Sequence, residues 1–201
     1  LGCLALLAAG FVASQPGAAQ GSNLIQQENG RAGTTSWRLT NAANDTAMQI
    51  KGFAGKHTVA PGQTIDLHVS VNPPQQYRID VYRMGYYGGS GGRLMTSVTG
   101  LNGITQPELV IDTNTGMITA PWSTSHDLAV GTDWVSGAYL AKLTNAAGFQ
   151  NYIVFVVRDG RAADLLFQVP ITTYQAYNNF PDDGVRGKST YPPPSSYGPP
   201  T

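Results

Sequence analysis

Apolar and polar residues alternate with a period of two along the middle of the chain. Thr64 to Val71 reads TIDLHVSV, with Ile65, Leu67, Val69 and Val71 on one side and Asp66, His68 and Ser70 on the other. Strict alternation over this length predicts a half-buried strand. Tyr77 to Val81 repeats the pattern, with Tyr77, Ile79 and Val81 inward and Arg78 and Asp80 outward. Ala138 to Leu143 sets Tyr139, Ala141 and Leu143 on one face. Asn151 to Val157, NYIVFVV, is apolar on both faces, which predicts a central, buried strand. Shorter runs at Thr35 to Leu39, Met48 to Phe53, Arg93 to Val98, Pro107 to Ile111 and Met117 to Trp122 read as further strands. Turn signals separate them: Ala60-Pro61-Gly62-Gln63, Asn72-Pro73-Pro74, Asp112 to Gly116 and Asn145 to Gly148. No amphipathic helix is predicted between residues 34 and 158. The pattern predicts an immunoglobulin-like β-sandwich over residues 34–160, in which the Tyr139 hydroxyl anchors a corner to nearby backbone.

The two ends read differently. Leu1 to Val12 is apolar but too short to span a bilayer. Gly17-Ala18-Ala19 follows as a small-residue cleavage site, so residues 1–19 read as a secretory signal peptide, truncated at its start. Residues 20–33 read as a flexible N-terminal segment. Beyond residue 160, Asp164 to Val169 (DLLFQV) predicts one more strand. A polar, aromatic loop over Thr172 to Asn179 comes next, and the chain closes on the proline-rich Tyr191 to Thr201. Residues 161–201 therefore read as the start of a second domain that this chain leaves incomplete.

Composition supports a secreted product. Charged residues are only 12%, balanced at 12 basic and 12 acidic. That balance argues against a nucleic-acid partner, and against a membrane partner once the signal is cleaved. The expected location is secreted or periplasmic. The single cysteine, Cys3, would leave with the signal, so the sandwich is expected to stand without disulfides.

The oddest stretch is Tyr82 to Met95, YRMGYYGGSGGRLM. It lacks the Lys-Ser/Thr of a phosphate-binding P-loop, and the run after it continues as a strand rather than a helix. It reads as a wide hairpin loop in which glycines supply positive-φ positions. Arg83, Tyr86 and Tyr87 are expected to serve interdomain or partner contact. His57, His68 and His126 have no partner at metal-ligand spacing and read as solvated surface histidines. Asp112 to Gly116 opens like a calcium loop but has no glutamate at the required distance, and no G-x-S-x-G elbow occurs.

Five blocks in order carry a family resemblance: ENGRAGTTSWRLT (28–40), YRMGYYGGSGGRLM (82–95), DWVSGAYLAKLT (133–144), YIVFVVRD (152–159) and DLLFQVPITTYQAYNNF (164–180). Together they resemble secreted bacterial proteins related to the large (β) subunit of N,N-dimethylformamidase. The resemblance implies an immunoglobulin-like sandwich joined to an α/β domain of the class I glutamine amidotransferase type. It implies a metal-dependent amide hydrolase, with a mononuclear iron bound by two tyrosines and a glutamate. Such an iron polarises the amide carbonyl and activates water. Tyr174 is the first choice for a metal-ligand tyrosine and Tyr177 the second, with the remaining ligands expected beyond Thr201. Gly187 to Tyr191 keeps most of a run that the family shows after this block, then departs into prolines. The chain alone is therefore expected to hold no iron and to be non-catalytic. The expected partners are the remainder of the α/β domain and either a further copy of the chain or a small subunit. A cell-surface sandwich that binds glycan or protein, with no enzymatic activity, is the competing expectation.

Overall fold

The computed structural model describes residues 23–181, apart from 116 and 164. The expected signal peptide, the Gly187 to Tyr191 run and the proline-rich end lie outside the described residues. The fold is mainly β. A short helix α1 (Leu24–Asn29) precedes ten strands: β1 (Ile50–Ala54), β2 (Thr58–Val59), β3 (Thr64–Val71), β4 (Gln76–Met84), β5 (Gly92–Asn102), β6 (Val110–Ile111), β7 (Ile118–Thr119), β8 (His126–Ala129), β9 (Gly137–Asn145) and β10 (Gln150–Val157). Helix α2 (Ile171–Tyr177) follows.

The strands form a three-stranded sheet in the order β1-β3-β8 and a five-stranded sheet in the order β2-β10-β9-β4-β5. All neighbours are antiparallel except the short β2, which runs parallel to β10. This is the two-sheet arrangement of an immunoglobulin-like sandwich. Strands β6 and β7 form a separate two-stranded hairpin. The alternation read from the sequence defines the core. Ile65, Leu67, Val69 and Val71 of β3 meet Tyr77, Ile79 and Val81 of β4, Tyr139, Ala141 and Leu143 of β9, and Ile153, Phe155 and Val157 of β10. The expected corner is present: the Tyr139 hydroxyl donates to the Val135 carbonyl at 2.7 Å, and its ring stacks on Trp134.

Five expectations give way. Residues 35–39 are not a strand. After a single bridge from Thr34 to Gly92, the segment crosses the outer face of the five-stranded sheet. There it supplies acceptors to side chains that need them: Lys142 Nζ donates to the carbonyls of Ser36 and Arg38, and the Tyr152 hydroxyl to that of Trp37. The segment before residue 33, expected to be loose, instead carries α1, closed by a reciprocal capping box between Asn23 and Gln26. Residues 165–169 form no strand, because ladder bonds need a neighbour and no described strand offers one. Leu165, Leu166 and Phe167 stand 89%, 94% and 82% exposed. The loop expected at residues 172–179 is largely the helix α2. Strand β10 is paired on both sides, yet its outer face is not buried, and Val154 remains exposed.

Candidate functional site

Two places gather the residues singled out from the sequence. The first is the tip of the β4–β5 hairpin. Met84 pairs with Gly92, and the intervening loop holds one 3-10 turn at Tyr87–Gly89. Glycine is required here for two reasons. Gly88 and Gly91 take φ of 64° and 85°, and a Cβ on Gly91 would lie 3.1 Å from the Trp37 ring. The Trp37 indole donates to the Ser90 carbonyl at 3.0 Å, which fixes the loop against residues 34–40.

Below that loop lies a buried charged cluster. Glu28, only 2% exposed, accepts hydrogen bonds from the Tyr87 hydroxyl at 2.8 Å and from Arg93 Nε at 2.6 Å. Arg31 approaches its other oxygen at 3.3 Å. Arg83 donates to the Tyr87 hydroxyl at 2.9 Å and to the carbonyls of Val135 and Ser136. Burial pushes the Glu28 carboxyl up, but the bonds from Arg93 and Tyr87 and the charges of Arg93 and Arg31 outweigh it and hold it below its ordinary value. Arg83 and Tyr87, expected to make interdomain contact, are therefore committed inside the sandwich. Of the three residues named for that role, only Tyr86 presents its side chain to solvent, at 71% exposed. The ENGRAG and YRMGYYGG blocks are distant in sequence but form one structural lock. Among the described residues, no buried side-chain nitrogen or oxygen of this lock is left without a hydrogen bond.

The second place is a cleft of about 180 Å³ at the seam between the two sheets, where β1 meets β10 and α2 lies over them. Phe53 and His57 line it from β1 and the following loop, Tyr152 and Val154 from β10, and Tyr174 and Gln175 from α2. The seam can close because residue 52 is glycine: a Cβ there would sit 2.7 Å from the His68 carbonyl and 2.8 Å from Ile153 Cδ1. Position 180 also returns to the sandwich, with Lys51 Nζ over the Phe180 ring at 5.6 Å. Val154, on the outer face of β10, lines this cleft together with Ile171, Tyr174 and Gln175 of α2.

Phe53 is supported from behind. It stacks on His68 with ring centroids 4.7 Å apart and planes 11° apart, and tilts over Trp122 at 5.6 Å. His68 is not a solvated surface residue. It is hydrogen-bonded through Nε2 to Asp66 at 3.0 Å and through Nδ1 to the Trp122 carbonyl at 2.9 Å. The Asp-x-His spacing puts both side chains on one strand face, and that signal was available in the sequence.

Tyr174 thus lies in the cleft, while Tyr177 stands one turn further along α2. They are 54% and 57% exposed. Phenol oxygens are the donor type a hard trivalent iron favours, but two solvated phenols are not a complete donor set. Among the described residues no group of three or more His, Cys, Asp or Glu comes together.

A family model described as N,N-dimethylformamidase beta subunit-like, C-terminal, matches residues 78–200. The match runs from within β4 across the remaining strands and the segment that carries Tyr174 and Tyr177. A search of curated proteins returned no match. Among solved structures, the chain is similar to a superoxide reductase (neelaredoxin) from Ignicoccus hospitalis, at 16% identity over 55% of this chain and 79% of that one, with a TM-score of 0.29. It is also similar to the cellulose-active LPMO CelS2 in complex with copper, at 19% identity over 51% of this chain and 53% of that one, with a TM-score of 0.32. Likeness at this level carries no argument about activity.

Proposed function

Because the chain belongs to the N,N-dimethylformamidase beta subunit-like family, we propose that it is the sandwich portion of a secreted, metal-dependent amide hydrolase, together with the segment leading into its catalytic domain. The family match carries this reading, since it spans both the sandwich strands and the Tyr174 segment without a break. The sandwich supplies a rigid wall at the β1–β10 seam, and α2 presents Tyr174 against it. Iron chemistry belongs to the proposal only with donors besides Tyr174 and Tyr177. The described residues alone are proposed to be non-catalytic.

The test uses protein expressed from its complete gene. Release of dimethylamine and formate from N,N-dimethylformamide is measured beside iron content. The expected result is hydrolysis with bound iron, and loss of both in Tyr174→Phe by at least the roughly 100-fold typical of disturbing a metal site's support. Iron-free protein, or activity indifferent to Tyr174→Phe, overturns the reading.

A further inference from the structure

We propose that Phe53, on the sandwich, is a specificity-determining wall of the cleft that holds Tyr174, packing against the N-alkyl groups of a small neutral amide. The inference rests on the hydrolase reading for the identity of the ligand, but not for the existence of the site.

Three observations carry it. The first is that Phe53 is exposed at 37% yet held in place. A phenylalanine scattered on a surface needs no scaffold. This one is backed by His68 and Trp122, and His68 is fixed in turn by Asp66 and a backbone carbonyl. A rigid aromatic face loses little freedom when a ligand packs on it. The second is the chemistry of the lining. Phe53, Val154 and the Tyr152 ring give an apolar side, while Tyr174, Gln175 and His57 give hydroxyl, amide and imidazole groups. No Asp, Glu, Lys or Arg lines the cleft. A second cleft in the sandwich contrasts with it, its lining including Arg78, Asp80 and Lys142, with Arg78 and Asp80 paired to each other at 2.6 Å. A neutral ligand with one polar end and apolar substituents on nitrogen suits the first cleft and not the second. The third is placement. Gly52 lets β1 lie against Ile153, and this brings Phe53 to the same seam as α2.

The experiment again uses the complete protein, with N,N-dimethylformamide and N,N-diethylformamide as probes. Binding is read by saturation transfer from protein to the ligand methyl groups, independently of turnover. Phe53→Ala is expected to weaken dimethylformamide binding and raise its KM about tenfold, the scale of lost apolar contact in a pocket, with kcat changed by less than about twofold. The same variant shifts the kcat/KM preference toward the diethyl compound. Phe53→Leu restores most of the binding and guards against a folding defect, which matched thermal melts check directly. If folded wild-type protein shows no saturation transfer, or if Phe53→Ala leaves both binding and the preference unchanged, the inference is overturned. Binding that depends on Phe53 without any hydrolysis upholds the cleft and sinks the hydrolase reading. Hydrolysis that depends on Tyr174 but not on Phe53 does the reverse.

Discussion

Two tyrosines in the core show how one hydroxyl decides the sign of a mutation. Tyr139 is fully buried and donates to the Val135 carbonyl at 2.7 Å. Tyr77 is equally buried, but its hydroxyl has no partner among the described residues, and burial pushes it up to about 12. A buried hydrogen bond contributes about 1 kcal/mol net, and a buried polar group left unpaired costs about 1–3 kcal/mol. Tyr139→Phe is therefore expected to destabilise the sandwich by about 1 kcal/mol, the loss of one net hydrogen bond, since the Val135 carbonyl keeps its bond from Arg83 Nε. Tyr77→Phe is expected to be neutral or to stabilise by up to about 1 kcal/mol. Urea denaturation of both variants against the parent checks the pair. Equal losses would show that the Tyr77 hydroxyl is satisfied in solution.

At the scale of elements, α1 and the β4–β5 hairpin act as one unit. The strap is made by Glu28, which Tyr87, Arg93 and Arg31 hold from three sides, and by Asn29, whose side chain accepts from the Tyr86 amide at 2.6 Å. Glu28→Gln is expected to cost about 2–3 kcal/mol, since it leaves the part-buried Arg93 short of its counter-charge and weakens the buried bond from the Tyr87 hydroxyl. The folded carboxyl titrates below its ordinary value of 4.5. Its contribution is therefore complete well above that value and is lost as pH falls through the folded pKa. The stability gap between parent and variant should close in the acid range below about 4.5, as denaturation midpoints measured across pH will show. A gap that persists unchanged into acid would assign the effect to packing rather than charge.

At the scale of the molecule, cohesion is uneven. The core lies within residues 50–157, while residues 165–167 expose three consecutive large apolar side chains without a ladder. Chymotrypsin under native conditions should cut first at Leu165, Leu166 or Phe167 and leave a sandwich that unfolds cooperatively. Mass spectrometry of the early products checks this, and first cuts inside β3, β4, β9 or β10 would contradict it. Among the described residues no helix is long and apolar enough to cross a membrane.

The sequence by itself determined the sandwich. Side chains in a strand alternate faces, so Ile65, Leu67, Val69 and Val71 had to share a side, and the core followed from that local rule. The glycines of residues 85–92 marked a hairpin for the same kind of reason, because only glycine takes some of those angles freely. Only the tertiary structure decided what the outward residues do. Glu28 lies in a polar stretch with nothing beside it in sequence to show that Tyr87 and Arg93 would enclose it. Phe53 broke an alternation, and His68 sat on a polar face. Their meaning came from Trp122, Gly52 and α2, which are remote along the chain. A periodic pattern reports whether a side chain faces in or out, but a binding wall depends on which distant elements meet there, and no local rule contains that.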